Sequence, residues 1–254
     1  MRYTTLFRNV FLAASAAALL ATGGCARLST VDSDALWKIV GGQCVPNARD
    51  TGKPAPCTRV DLDQRYAVLK DIVGRAQFLV IPTDRVSGIE SPDILYAGSP
   101  EYWVGAWNAG RYVDAKLGMQ LAAYQLGLEI NSSTQRSQNQ LHIHVDCMRT
   151  DIADALAAHR DDTPGVWSWT ALDGKRYRVM RVTSLHDSGN PFRVVARDLG
   201  AGRTMSQQTI LVTGAGADAA RDGWLIVNSA RDVESGTGTA EGLLDHACKL
   251  AHAQ

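Results

Sequence analysis

The sequence lacks a surplus of either charge. Lys plus Arg and Asp plus Glu both number 26 and no basic run stands out, so nucleic acid is not an expected partner. It lacks a Cys-x-x-Cys pair, which argues against a thiolate zinc centre. Repeats, heptads and low-complexity tracts are missing, so neither a solenoid nor a coiled coil is expected. Long apolar runs are missing as well. The run from Val10 to Ala21 is short for a full membrane span, and its continuation to Ala26 carries Thr22, Gly23 and Gly24.

What is present is enough hydrophobic residue, 45% of 254, to bury one sizeable core or two small ones that share an interface. Arg2 and Arg8 precede the short apolar run, and Gly23-Gly24-Cys25-Ala26 follows it, so residues 1–26 read as a targeting segment. A cleaved signal, a signal-anchor and a lipidated Cys25 are three open alternatives. Thr22 stands where lipidation usually has a large aliphatic residue, and no clean Ala-x-Ala site is present. The expectation is periplasmic residence or membrane association, with residues 27–254 as one domain.

Setting Cys25 aside leaves Cys44, Cys57, Cys147 and Cys248, an even set in an oxidising compartment. Cys44 and Cys57 flank a loop of turn residues and can close locally, which leaves Cys147 for Cys248. The alternative is four reduced, buried thiols.

Residues 131–147, NSSTQRSQNQLHIHVDC, carry the most chemistry. Leu141, Ile143 and Val145 alternate with Gln140, His142, His144 and Asp146, so a strand would turn both imidazoles to one face. The polar loop before it can bring amide and guanidinium donors to that face, and donors beside neutral imidazoles suit attack on a phosphoryl group. The plain alternative is a half-exposed strand with two surface histidines.

Around this stretch the pattern predicts an amphipathic helix over Asp32–Val40 ended by Gly41-Gly42, and a hairpin of Tyr66–Asp71 with Ala76–Pro82. Thr83–Gly98 reads as an exposed loop suited to substrate contacts and within reach of lipid. Ser99-Pro100-Glu101 opens a helix whose Trp103 and Trp107 fall on its apolar stripe and read as core. Leu126–Ile130 is a strand, and Thr150-Asp151 caps a helix to about Arg160. Strands follow at Trp167–Ala171, Lys175–Thr183, Phe192–Ala196, Thr209–Thr213 and Trp224–Asn228, and a closing helix at Gly242–Leu250. The fold class is α+β, an antiparallel sheet with packed helices (core about 60–160) and a carboxy-terminal β-rich extension (about 161–254).

The segments Leu69–Pro82 and Gln140-Leu-His-Ile-His-Val145 resemble the histidine-triad superfamily of nucleotidyl hydrolases and transferases. Trp37-Lys-Ile-Val, Cys44-Val-Pro-Asn47, the Gln138-Asn139 pair and Asp245-His-Ala-Cys248 resemble, more closely, the bacterial CDP-diacylglycerol pyrophosphatases, from about Leu36 to Leu250. The resemblance implies a histidine-triad-like sheet, a nucleophile at His142 and a phosphate or leaving-oxygen contact at His144. Gln140 departs from the superfamily pattern, which has histidine there, so the orientation of the nucleophile has to come from another group.

By the same resemblance Asp71 accepts from ribose hydroxyls and Asn131 and Gln138 surround the phosphate. Arg136, the cation of the loop, is added on chemical grounds, with a solvated arginine as its alternative. His246 lies two residues before Cys248, so the expected bridge would bring it near the histidine strand; neither it nor His159, His186 or His252 is assigned a role.

The implied reaction is hydrolysis of CDP-diacylglycerol to CMP and phosphatidate through a cytidylyl-histidine, without metal or other cofactor, at the periplasmic face of a bacterial inner membrane or in the periplasm. The partners would be this substrate and a membrane lipid surface; oligomeric state is not legible. Two alternatives stay open: a hydrolase of soluble nucleotide pyrophosphates, and a periplasmic nucleotide- or lipid-binding protein without catalysis.

Overall fold

Short runs of branched and aromatic residues separated by turn residues favour extended chain. In the computed structural model of the chain, which describes residues 32–232 and 237–252, they build one antiparallel sheet. The expected targeting segment, Cys25 included, lies outside the described residues. The strands are β1 Arg59–Asp61, β2 Tyr66–Lys70, β3 Phe78–Pro82, β4 Leu126–Ile130, β5 Ile143–Cys147, β6 Trp167–Leu172, β7 Lys175–Val182, β8 Gln208–Gly214 and β9 Trp224–Ala230. Their spatial order is β1-β2-β3-β5-β4-β8-β9-β7-β6. The helices are α1 Ala35–Ile39, α2 Val45–Thr51, α3 Tyr102–Leu117, α4 Thr150–Leu156, α5 Pro191–Arg197 and α6 Ala219–Asp222. The fold is α+β, as expected. Among the described residues no helix is long and apolar enough to cross a membrane.

The sheet repeats a plan that the sequence does not. Hairpin β2-β3, helix α3 and hairpin β4-β5 are followed by hairpin β6-β7, helix α5 and hairpin β8-β9, with β3 on β5 and β7 on β9. The halves join through β4 and β8. Backbone pairing carries this plan, so side chains are free to diverge. Both α3 and α5 lie on one face, where Trp103 and Phe192 pack at 5.1 Å between ring centroids within the main core. Just before α3, its N-cap residue Glu101 accepts from Asn190 and Arg193, which ties the start of that helix to α5.

The opposite face carries the divergence. Register places Leu69, Leu79, His144, Glu129, Leu211, Val227 and Val179 in one row across the sheet. Leu79 lies under the amino-terminal helices and Leu211, Val227 and Val179 under α4 and the carboxy-terminal turns. Polar groups occupy the middle of the row, between two apolar patches.

Four local expectations are corrected. Gly41-Gly42 do not end the first helix: a π-turn at Val40–Cys44 leads into α2, and the stop is Gly52 at φ +69°. A Cβ at Gly41 would meet the Trp37 ring at 2.8 Å, so that glycine makes room for an indole. Thr83–Gly98 is not an exposed loop, because Val86, Ile89 and Ile94 are buried in the main core. Phe192–Ala196 is helical: Asn190 accepts from the Phe192 amide as N-cap and Pro191 takes the first turn. The closing helix at Gly242–Leu250 is replaced by 3-10 turns at Glu241–Leu243 and Lys249–His252. Between them Leu244 pairs with Met148 and Cys248 takes φ +47°, which no α-helix allows.

Both expected disulfides are present, Cys44–Cys57 and Cys147–Cys248, with Cα separations of 5.6 and 5.4 Å.

Candidate active site

The period-two alternation of residues 141–146 does what its pattern implies. Leu141, Ile143 and Val145 enter the main core, and His142 and His144 share the other face with ring centroids 5.1 Å apart. The Leu141 amide donates to the Val86 carbonyl at 2.7 Å, which fixes the chain just before β5. His142 Nδ1 lies 2.8 Å from the main-chain carbonyl oxygen of Gln140. A carbonyl only accepts, so Nδ1 carries the hydrogen and the Nε2 lone pair is free.

Burial lowers both imidazoles to about 4. For His142 the neighbouring His144 adds to that effect. Both rings are therefore neutral at pH 7. Neither ring nitrogen of His144 has a hydrogen-bond partner among the described residues, although the residue is 7% exposed. Buried donors and acceptors left in this state are costly, so they point to a polar ligand.

The rings line a cavity of about 340 Å³ whose lining is both polar and apolar. Leu36, Ile39, Leu69, Ile72, Val73 and Leu79 supply its apolar lining, interrupted by Lys70, Asp71 and Gln77, and Asn131, Gln135, Arg136, Gln138 and Glu241 join the histidines as its polar lining.

The expected site residues fall into this picture unequally. Asp71 reaches the cavity, but its carboxylate accepts from the Val73 amide at 3.1 Å and from Gln77 Nε2 at 2.5 Å. Asn131 donates to Glu241 at 3.3 Å, and its Oδ1 has no partner among the described residues. Arg136 forms a two-pronged pair with Glu90, at 2.6 and 2.8 Å, so its charge is already compensated. The Gln138 side chain accepts from the Leu36 amide and donates to the Asp32 carbonyl, joining the loop to the start of α1. Gln140 is not brought to the cavity. Fully buried, it donates to the carbonyls of Pro82 and Asp84.

The sequence reading missed Glu241 and Glu129, and it placed Asp146 on the histidine face without foreseeing its partner. Glu241 lines the cavity from the carboxy-terminal segment. Glu129 sits opposite His144 on β4, fully buried, and burial pushes its carboxyl up to about 8. Asp146 holds His246 Nδ1 at 2.8 Å, beside the Cys147–Cys248 bridge, and that bond raises the His246 pKa. Leu126, Leu128 and Ile130 enter the main core and Glu129 alternates to the other face, so its local pattern is that of an ordinary half-exposed strand and gives no sign of its burial.

Among the described residues the one compact set of metal-ligand types is Asp146, Cys147 and Cys248. Its sulfurs are joined in a disulfide and offer no thiolate, so the set does not fit a metal ion. A larger cavity, about 710 Å³, lies in the second half of the sheet near Arg176, Arg178 and Arg203 and has no histidine in its lining.

The family model described as CDP-diacylglycerol pyrophosphatase matches residues 31–252. The chain belongs to the CDP-diacylglycerol pyrophosphatase family. A Yersinia pestis protein of that name is 37% identical over 236 residues, covering 91% of this chain and 90% of the relative. The family match runs through both halves of the sheet, so β6–β9 and the carboxy-terminal turns that carry Glu241 fall within the shared CDP-diacylglycerol pyrophosphatase region.

Proposed function

We propose that the chain hydrolyses the pyrophosphate bond of CDP-diacylglycerol to CMP and phosphatidate, with His142 as nucleophile. The observation that carries the reading is the His142 Nδ1 to Gln140 carbonyl bond, which leaves a neutral Nε2 at a cavity lined by both polar and apolar side chains. Nε2 attacks the phosphorus next to cytidine; a P–N bond forms, the P–O bond to phosphatidate breaks, and phosphatidate departs as an anion. Water then attacks the cytidylyl-histidine, releasing CMP and restoring the imidazole. Phosphatidate ionises near neutrality and needs little help from a general acid, which fits neutral surroundings. His144, with both nitrogens unpartnered among the described residues, contacts the phosphate or the departing oxygen.

This is a histidine-triad-like arrangement in which a backbone carbonyl does the orienting. Its support is the order of β2-β3, α3, β4 and β5 with the histidines entering β5. The substrate is a membrane lipid, and the targeting pattern of residues 1–26 together with two disulfides supports work at the outer face of the inner membrane or in the periplasm. The test is CMP release from CDP-diacylglycerol in detergent, set beside release from CDP-glycerol, which has no acyl chains. Preference for the lipid supports the reading; equal turnover makes the chain a hydrolase of soluble nucleotide pyrophosphates, and binding without turnover of either makes it a binding protein.

A further inference from the structure

The β2-β3 hairpin tip carries two apolar side chains that no packing accounts for. Ile72 is 100% exposed and Val73 51%, and both line the histidine cavity. They continue the apolar wall made by Leu69, Leu79 and the α1 residues Leu36 and Ile39 outward to the cavity mouth.

Several polar groups of the tip are occupied from within. Lys70 Nζ donates to the carbonyls of Asp71 and Gly74, at 2.6 and 3.1 Å. The Asp71 carboxylate accepts from the Val73 amide, and the Asp71 amide donates to the Gln77 carbonyl at 3.1 Å. The Arg75 amide donates to the His246 carbonyl at 2.8 Å. These internal bonds hold Lys70 and Asp71 at the base of the turn and leave Ile72 and Val73 as the side chains presented outward. The charges that act on Lys70 are mixed, Asp71 and Asp146 ahead of Lys116 in the last turn of α3.

We infer that Ile72 and Val73 form a membrane-contacting tip that enters the acyl region of an anionic lipid surface and brings the diacylglycerol part of the substrate along the apolar wall to the histidines. The inference rests on the lipid-hydrolase reading, and it names where the lipid meets that site. The occupant is the bilayer, because the exposed apolar pair belongs to the lining of the cavity that takes the lipid substrate, so acyl chains can pass from the bilayer to the histidines without crossing water.

The test uses the full chain with Ile72→Cys carrying an environment-sensitive fluorophore, beside Val166→Cys on the far half of the sheet, where Val166 is 55% exposed. The unsubstituted chain treated with the same reagent supplies the background. Vesicles of phosphatidylcholine and phosphatidylglycerol, free of nucleotide lipid, should shift the emission at position 72 to the blue and make it quenchable by nitroxide lipids, and leave position 166 unchanged. Equal responses at both positions, or none at 72, overturn the inference; so does a shift at 72 that follows protein concentration without vesicles, which would make a second copy the occupant. In a second arm, Ile72→Ser/Val73→Ser should raise the KM for long-chain CDP-diacylglycerol in vesicles about tenfold, and an unchanged KM counts against the tip. If the unsubstituted chain hydrolyses no such lipid, the functional reading fails while the fluorophore still reports on the tip.

Discussion

His142 Nδ1 is held at 2.8 Å by the main-chain carbonyl of Gln140, and the Gln140 side chain points elsewhere, to the carbonyls of Pro82 and Asp84. Gln140 therefore orients His142, the proposed nucleophile, through its backbone and not through its side chain. Gln140→Ala should cost about 1–3 kcal/mol of stability by leaving buried groups unpaired. Its loss of kcat should stay far below that of His142→Ala. Urea denaturation and steady-state kinetics check the split; a kcat loss as large as that of His142→Ala would give the side chain the orienting role instead.

The pH profile follows from burial. His142 and His144 are lowered to about 4, so the proposed nucleophile is neutral above that and becomes protonated as pH falls through it. The acid limb of kcat/KM should lie near pH 4 to 5, well below the ordinary histidine value of about 6.5. A profile that already falls between pH 7 and 6 would show that the free enzyme's rings are solvated.

Glu129 behaves in the opposite sense. Its folded-state value, about 8, lies above its ordinary value of 4.5, so between those limits the native state binds more protons than the unfolded chain. The stability it contributes is present at low pH and is lost as pH rises through about 8, at up to about 1.4 kcal/mol per unit. Glu129→Gln keeps the oxygen that accepts from Thr209 and the Ala240 amide and removes the titration. The variant should match the native protein near pH 5 and exceed it in stability at pH 8 and above, as followed by denaturation at both values. Equal differences at the two values would contradict a buried neutral carboxyl.

The two disulfides close very different loops, with separations of 13 and 101 residues. On chain entropy alone, opening the short one should cost about 3 kcal/mol and the long one about 5. Removing Cys147–Cys248 also frees the segment that presents Glu241 to the cavity and His246 to Asp146. Cys248→Ser should accordingly lose activity as well as thermal stability, and Cys57→Ser mainly stability. A Cys248→Ser protein with full kcat and KM would show that the tail's place does not depend on the bridge.

Much of this was legible in the chain itself. The alternation of residues 141–146 fixes which face the imidazoles take, and the even cysteine set leads to both bridges. Phe192–Ala196 misled because a short branched run suits strand and helix alike, and the Asn190-Pro191 start decides it. The carboxy-terminal segment misled because its shape is set from outside, by Met148 and Cys147. Distant pairing of this kind leaves no local pattern. The same holds for the site: His142 and His144 are read from spacing, whereas Glu129 and Glu241 join them only through the sheet and the long bridge. Arg136 and Gln138 show the converse, chemically apt residues whose side chains are occupied by Glu90 and by the start of α1.

The most direct test of the account is to trap the covalent intermediate. The unsubstituted chain, mixed with CDP-diacylglycerol carrying a labelled cytidine and quenched within one turnover, should yield protein with one cytidylyl group, located by peptide mass on His142, acid-labile and absent from His142→Ala. Label on a different residue, or a His142→Ala protein that still releases CMP at an undiminished rate, would contradict it.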